Sequence, residues 1–119
     1  MRLHVAAGIP PDRMPVLMNA ADCLLLTSTA EGSPNVVKEA LACDLPVVST
    51  PVGDVRMLLT GVAPSLVTDA DPEALATALI ECTRDSGRSN GRERSRWLGE
   101  REIAERILEI YRRLAPGVV

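Results

Sequence analysis

The segment EGSPNVVKE, residues 31–39, carries two glutamates eight positions apart, with a glycine, a serine and a proline between them. Carboxylates accept pairs of hydroxyl hydrogen bonds, and the first N–H groups of a helix have no internal partners, so they attract phosphate. Ser33 and Pro34 are typical of the N-cap and the first position of a helix. The segment therefore predicts phosphate-binding amides at a helix tip, with Glu31 before them and Glu39 along the helix.

Each acid also has a simpler explanation. Glu31 can interact favourably with the helix dipole from outside the first turn, and Glu39 can be an exposed residue that pairs with Lys38 or with solvent. On a helical projection Glu39 lies beside Asn35, outside an apolar arc of about 140° that is formed by Val36, Val37, Ala40 and Leu41. The spacing of the two acids alone does not decide between these readings.

Apolar runs alternate with helical patterns along the rest of the chain. We predict a weak strand over residues 3–6 and further strands over residues 23–27, 47–50 and 65–67. Helices are predicted to begin near residues 10–12 and to cover residues 33–43 and 54–59, with another beginning at Asp71-Pro72 and a closing one that ends before Pro116. The fold predicted is α/β, a Rossmann-like parallel sheet of about four strands with flanking helices. Such sheets bind ligands at the carboxyl ends of their strands, where residues 31–39 fall.

The composition is that of a globular domain. The chain has 119 residues, of which 46% are hydrophobic and 24% charged, and this is enough for one domain with a core. Trp97 and Tyr111 are the only aromatic residues, so the core is expected to be aliphatic. His4 is the only histidine, and nothing beside it indicates a Ser-His-Asp site.

Three cysteines, odd in number and widely spaced, argue against a disulfide framework and against zinc. They favour a reduced, cytoplasmic setting. No apolar run approaches the roughly 18 residues of a membrane span, although peripheral attachment to a membrane surface stays open.

Charge is unevenly distributed. Residues 1–83 contain ten acids and four bases, whereas residues 84–119 contain nine arginines and six acids. Basic tails can bind nucleic acid, but here glutamates interleave with the arginines and no set of aromatic residues accompanies them. A solvated helical surface is therefore favoured, and no nucleic-acid partner is predicted.

The run AADCLLLTSTAEGSPNVVKEALACDLPVVSTPVGD, residues 20–54, resembles the donor-binding domain of the family-4, retaining GT-B glycosyltransferases. The shared pattern is a strand ending in Ser or Thr, then Glu, seven residues and Glu, a helix, a Pro-Val-Val strand and a Val-Gly turn. The resemblance continues more loosely to the closing helix, so it covers most of the chain.

The resemblance implies a role for each site residue. Glu31, the catalytic candidate, would contact donor sugar hydroxyls near the reacting carbon, and Glu39 would hold the nucleotide ribose. The diphosphate would be bound by the backbone amides of Gly32, Ser33, Asn35 and Val36, which would stabilise the leaving group. No metal and no other cofactor is expected, and the nucleotide diphosphate sugar is the substrate.

Two departures from the family pattern have consequences. Asp44 stands where these enzymes often have Gly, although Asp tolerates the left-handed conformation that ends a helix. The family's donor domain also starts two strands earlier, supplies a basic pair to the phosphates from there, and follows an acceptor-binding domain. Residues 1–119 are therefore expected to form one partial domain, the second half of a GT-B C-terminal domain, with a helical segment over residues 92–114.

A partial domain is expected to have little or no transferase activity by itself, because both domains position the donor. The strand over residues 23–27 would also lack a neighbour. An exposed strand edge recruits other chains, which predicts a homodimer or swapped assembly, unless residues 3–6 fold back to cover the edge.

Two other functions fit the same residues. One is a non-catalytic α/β interaction module that acts through the exposed edge or the arginine-rich end. The other is a related GT-B enzyme such as a sugar-nucleotide epimerase, although the Glu-seven-Glu pattern fits retaining transferases better. The base, the sugar and the acceptor are not determined by the sequence.

Overall fold

The computed structural model describes residues 1–85 and 87–117. In chain order the elements are α1 (Met14–Ala20), β1 (Leu24–Leu26), α2 (Asn35–Ala42), β2 (Val47–Ser49), α3 (Val55–Leu58), β3 (Leu66–Val67), α4 (Pro72–Thr83), α5 (Gly91–Arg94), a 3-10 turn (Arg96–Leu98) and α6 (Glu100–Leu114). The α/β class and the alternation of strands with helices are confirmed.

The three strands form one parallel sheet in the order β1-β2-β3. Leu24 pairs with Val47 at one end of the first ladder, and Ser49 pairs with Val67 in the second. All strands therefore end at the same edge of the sheet, and the loops that follow β1 and β2 lie side by side there.

The sheet is covered on both faces because successive strand residues point to opposite sides. Val47 belongs to a large aliphatic cluster with residues of α2 and α3, including Val37, Leu41 and Val55. Val48 faces the other way, toward the residues of α4. The prediction of a fully buried strand is confirmed for β2, whereas β1 is only half-buried because it has a strand neighbour on one side only.

The N-terminal strand prediction is wrong. Residues 1–7 have no regular secondary structure, and Leu3 and Val5 are 79% and 76% exposed. The prediction depended on a few apolar residues, but a strand also needs an edge to pair with, and residues 3–6 do not pair with β1. The described residues therefore form three strands, and residues 3–6 do not cover the β1 edge.

The N-cap residue predicted from the sequence is correct for α4 and wrong for α2. At α4, Asp71 is the N-cap, its carboxylate accepts a hydrogen bond of 2.9 Å from the N–H of Ala74, and Pro72 follows in the first turn, as predicted. At α2 the N-cap is Pro34, without a side-chain hydrogen bond, so the assignment of Ser33 as the cap is wrong. The first helix likewise begins at Met14, later than residues 10–12.

The segment after α4 is attached to the C-terminal ends of α1 and α2. The guanidinium of Arg88 donates to the carbonyls of Ala21, Met18 and Cys43, at 2.8, 3.2 and 2.8 Å. Asp44 has a φ of 54°, which confirms the left-handed turn expected of it. Its Oδ1 also accepts a 2.7 Å hydrogen bond from the N–H of Arg92 in α5.

The polar sequence DSGRSNG, residues 85–91, is typical of a loop; it includes Ser86, which lies outside the described residues, and it ends where Gly91 begins α5. The helical segment predicted over residues 92–114 consists of α5, the 3-10 turn and α6. The longest helix, α6, has no buried residue. Within the described residues, no helix combines the length and the apolar character needed to cross a membrane.

Candidate functional site

The candidate site is formed by two loops at the carboxyl ends of β1 and β2. The first loop, residues 27–34, carries Glu31, Gly32 and Ser33, and the second covers residues 50–54. Thr50 joins them: its N–H donates to the carbonyl of Leu26 at 3.0 Å, and its Oγ1 donates to the carbonyl of Ser28 at 2.6 Å. Thr50 is buried, with 2% of its surface exposed, and its two hydrogen bonds hold the start of the Glu31 loop in place.

The backbones of the two loops touch at Gly53 and Gly32. The N–H of Asp54 donates to the carbonyl of Gly32 at 3.1 Å. Gly53 has a φ of +49°, and a Cβ placed there would lie 2.1 Å from the carbonyl oxygen of Gly32. Glycine is therefore required at position 53 for two reasons, its backbone conformation and the close approach of the neighbouring loop.

A side-chain bond also joins the loops. The Oγ of Ser33 donates to Oδ2 of Asp54 at 2.6 Å, and the other carboxylate oxygen, Oδ1, is buried without a hydrogen-bond partner in the described residues. This bond explains why Ser33 does not cap α2. Because the hydroxyl of Ser33 already donates to Asp54, the group that Ser33 can offer a ligand is its backbone N–H.

The tip of α2 is open to solvent. Gly32, Ser33 and Asn35 are exposed, whereas Pro34 is buried and Val36 half-buried. In the described part of the chain, the N–H groups of Gly32, Ser33, Asn35 and Val36 donate no hydrogen bond. The N–H of Val37 donates to the carbonyl of Pro34 at 3.2 Å. Four free N–H groups at the positive end of a helix are a suitable receptor for an anion.

The two glutamates precede and follow this tip along the chain. Glu31 is exposed, and its Oε1 accepts a hydrogen bond of 2.9 Å from the Oγ of Ser28. Glu39 is exposed on α2, one turn beyond Asn35 and on the same side of the helix, about 6 Å farther along the axis. Within residues 1–85 and 87–117 its carboxylate has no ion pair, so the pairing with Lys38 considered above is not formed.

Sequence reasoning did not identify several residues that build the site. Ser28, Thr50 and Asp54 fix the loop that carries Glu31, although none was assigned a role. The available signal was the position of each after a predicted strand, because neighbouring parallel strands bring such residues to one edge. Gly53 had been noted only as part of the Val-Gly turn.

The cysteines lie away from this edge. Cys23 and Cys82 pack in the cluster between the sheet and α4, and Cys23, Cys43 and Cys82 are all free thiols. Burial raises the pKa of the Cys23 thiol to about 12, with a smaller contribution from Cys82, and burial also raises the pKa of Cys82. Both thiols are therefore protonated at neutral pH and behave as small apolar side chains.

Residues 2–85 match the family described as Glycosyl transferases group 1, which covers well over half of the chain, including both loops and α2. The chain belongs to this family. It is also 38% identical over 77 residues to TuaC of Bacillus subtilis (strain 168), provisionally assigned as a teichuronic acid biosynthesis glycosyltransferase. The aligned part is 64% of this chain but 20% of TuaC, so the chain spans about one fifth of the length of that relative. No solved structure gives a significant match.

Proposed function

We propose that this group 1 glycosyltransferase chain is the nucleotide-sugar donor-binding part of a retaining GT-B enzyme that transfers a hexosyl group to an acceptor. The observation that carries the proposal is the open tip of α2, where four N–H groups that have no partner among the described residues lie between two exposed glutamates. Diphosphate binds at the tip, and the sugars on its two sides meet the two acids.

Each group at the tip has a distinct task. The amides of Gly32, Ser33, Asn35 and Val36 hold the diphosphate and stabilise the charge that grows on the leaving group. Glu31 accepts hydrogen bonds from the donor sugar near its reacting carbon. Glu39, about 6 Å along α2 from Asn35, accepts hydrogen bonds from the hydroxyls of the nucleotide ribose.

The second loop provides rigidity. Thr50 and Asp54 bond to Ser28, Gly32 and Ser33, so the Glu31 loop is held before the ligand arrives. A preformed site loses less conformational entropy on binding. The family match assigns glycosyl transfer to the family, whereas the donor class, the retaining course and the roles of single residues are what we propose.

Thermal unfolding of the chain with UDP, GDP and ADP sugars tests the proposal. A ligand at about ten times its Kd stabilises the folded state by about 1.4 kcal/mol, which raises the Tm by several degrees. At least one nucleotide sugar should raise the Tm. Glu31→Gln and Glu39→Gln should each reduce the shift, while Glu73→Gln, an exposed glutamate on α4, should leave it intact. A shift that survives both site substitutions would contradict the assigned roles.

A second candidate function rests on β1. This strand is at the edge of the sheet and residues 3–6 do not cover it, so its outer backbone groups are available to another strand. We propose that a non-catalytic role would use this edge for a homodimer or a swapped assembly. Sedimentation equilibrium would detect the assembly, and Leu25→Pro, which cannot donate a ladder hydrogen bond, should abolish it. A monomer over the whole concentration range excludes this function.

A further inference from the structure

The dipeptide Asn90-Gly91 leads into α5, and it is the one Asn-Gly pair in the sequence. In such a pair the backbone nitrogen of the glycine can attack the side-chain amide of the asparagine, because glycine has no side chain to hinder the approach. The other two asparagines, Asn19 and Asn35, precede Ala and Val, whose side chains slow this attack. By its sequence, Asn90 is therefore the asparagine most susceptible to spontaneous deamidation.

The contacts of the pair require both of its residues. The Oδ1 of Asn90 accepts a hydrogen bond of 2.9 Å from the N–H of Ala63, and its Nδ2 donates to the carbonyl of Gly61 at 3.1 Å. A carboxylate at this position could accept the first bond but could not donate the second. Gly91 lies against α2, where a Cβ would be 2.9 Å from the Cα and from the carbonyl oxygen of Leu41. The fold therefore depends on a dipeptide that is chemically labile.

The folded backbone holds the pair in a geometry that does not react. Ring closure requires the nitrogen of Gly91 and the Cβ of Asn90 to lie on the same side of the Cα–C bond. The ψ of Asn90 is 26°, which places these two atoms nearly opposite each other. The N–H of Gly91 also donates to the Oγ of Ser89 at 3.1 Å, and Ser89 is buried. Deamidation therefore requires the backbone at Asn90 to leave its folded conformation.

Hydrogen bonds at the surface hold residues 88–94 in this conformation. Arg88 donates to three carbonyls at the C-terminal ends of α1 and α2. The N–H of Ser89 donates to the carbonyl of Asp44 at 2.7 Å, and the carboxylate of Asp44 accepts from the N–H of Arg92. Both arginines are exposed, and segments held by exposed hydrogen bonds open more often than the core. Residues 88–94 can therefore open while the sheet stays folded.

We propose that Asn90 is a deamidation site and that the opening of residues 88–94 controls its reaction. In the open segment the nitrogen of Gly91 attacks Cγ of Asn90. The Cγ–Nδ2 bond then breaks, and ammonia leaves with the proton of the Gly91 N–H. Water opens the resulting cyclic imide at either of its carbonyls, which gives aspartate or isoaspartate at position 90.

Either product keeps the segment from closing again. Aspartate places a charged carboxylate oxygen, instead of a donor, beside the carbonyl of Gly61. Isoaspartate adds a methylene group to the main chain, which displaces Gly91 from its contact with Leu41. Deamidation thus turns a transient opening into a lasting one. The proposal does not depend on donor binding at the tip of α2.

Peptide mass spectrometry of the full chain, incubated at mildly alkaline pH, tests the proposal. The folded chain should deamidate at Asn90 at least about tenfold more slowly than the same chain in urea. Asn19 and Asn35 serve as internal references and should react far more slowly than Asn90 in urea. Equal rates at Asn90 in the folded and the unfolded chain, or no reaction at Asn90 in urea, would overturn the proposal.

Matched arginine variants test the control by opening. Arg88→Ala removes three hydrogen bonds from a charged donor and should speed deamidation of the folded chain by about tenfold. Arg56→Ala, which removes an exposed arginine of α3, should leave the rate unchanged. Circular dichroism checks that the variants are folded. Ser89→Ala, which frees the N–H of Gly91, should also speed the reaction. Rates equal to wild type in both Arg88→Ala and Ser89→Ala would refute the control by opening.

The effect of the product is measured on Asn90→Asp. Amide hydrogen exchange over residues 88–94 should be at least about tenfold faster in this variant than in wild type. Asn35→Asp makes the same chemical change at the start of α2 and should leave the exchange of residues 88–94 unchanged. Exchange in Asn90→Asp as slow as in wild type would contradict the lasting opening.

Discussion

The hydroxyl of Ser33 donates to Oδ2 of Asp54 at 2.6 Å, although the two residues are 21 positions apart. The bond joins the loop after β1 to the start of α3. It holds the tip of α2 in place and turns the hydroxyl of Ser33 away from the helix cap. The proposed donor site is thus formed by two consecutive βα units, and the acid-bearing segment does not form it alone.

The first prediction concerns this bond. Ser33→Ala removes the donor to Oδ2 of Asp54, whose Oδ1 is already buried without a partner in the described residues. We expect a loss of about 1 kcal/mol in the free energy of unfolding, measured by urea denaturation. Ser28→Ala, which removes an exposed bond to Glu31, should cost under about 0.5 kcal/mol. Equal losses of unfolding free energy in the two variants would show that the Ser33–Asp54 bond stabilises the fold no more than the exposed Ser28–Glu31 bond does.

The second prediction separates two neighbouring glycines. Gly53→Ala places a methyl group against the Gly32 carbonyl at a φ of +49°, so we expect a loss of about 2 kcal/mol. Gly32→Ala meets no atom within 4 Å and should change stability by less than about 0.5 kcal/mol, while it weakens any Tm shift caused by a nucleotide sugar. Thermal unfolding with and without ligand measures both effects. A Gly53→Ala chain as stable as wild type would refute the close contact.

The third prediction concerns Asp44, which has a left-handed backbone and a carboxylate bonded to the N–H of Arg92. Asp44→Ala removes the bond and places alanine, which tolerates the left-handed conformation less well than Asp, at this position. The free energy of unfolding should fall by about 2 kcal/mol. Asp44→Gly keeps the conformation only and should cost about 1 kcal/mol. Asp44→Asn keeps both and should be close to wild type. Chemical denaturation gives the order of stability, and a glycine variant at least as stable as wild type would show that the bond from Arg92 to Asp44 does not stabilise the fold.

The fourth prediction is a pH dependence. Burial raises the pKa of the Cys23 thiol from 9.0 to about 12 in the folded chain, so the unfolded chain loses this proton first as the pH rises. The stability linked to Cys23 is full below about pH 9 and is lost progressively toward pH 12. Cys23→Ala should therefore reduce the alkaline loss of Tm. Cys43→Ala is the control, and an identical alkaline profile in wild type and Cys23→Ala would count against the raised pKa.

Much of the fold was predictable because its signals are local. The strand Val47–Ser49 is buried on both faces, and Asp71 with Pro72 begins α4 as the types of these two residues indicate. The left-handed turn at Asp44 was expected because the resembled enzymes often have Gly there and Asp tolerates the same conformation. These features depend on nearest neighbours and on side-chain type, which a single sequence displays directly.

The remaining features depend on contacts between distant residues. Ser33 was assigned to the α2 cap because Asp54 could not be known to lie 2.6 Å from its hydroxyl. The strand over residues 3–6 failed because strand formation requires a partner edge. For the same reason the sequence alone does not predict the contacts of Thr50 and Gly53, which form because β1 and β2 are neighbours in the sheet.

The proposed donor site depends on diphosphate binding to the N–H groups at the tip of α2, between Glu31 and Glu39. Titration of the ¹⁵N-labelled chain with UDP, GDP and ADP, followed by amide chemical shifts, tests it most directly. We expect at least one nucleotide to cause its largest chemical-shift changes at the amides of Gly32, Ser33, Asn35 and Val36, with smaller changes at the exposed amides of α4. If all three nucleotides leave these signals in place, or if the largest changes fall on α4 or α6, the claim is wrong.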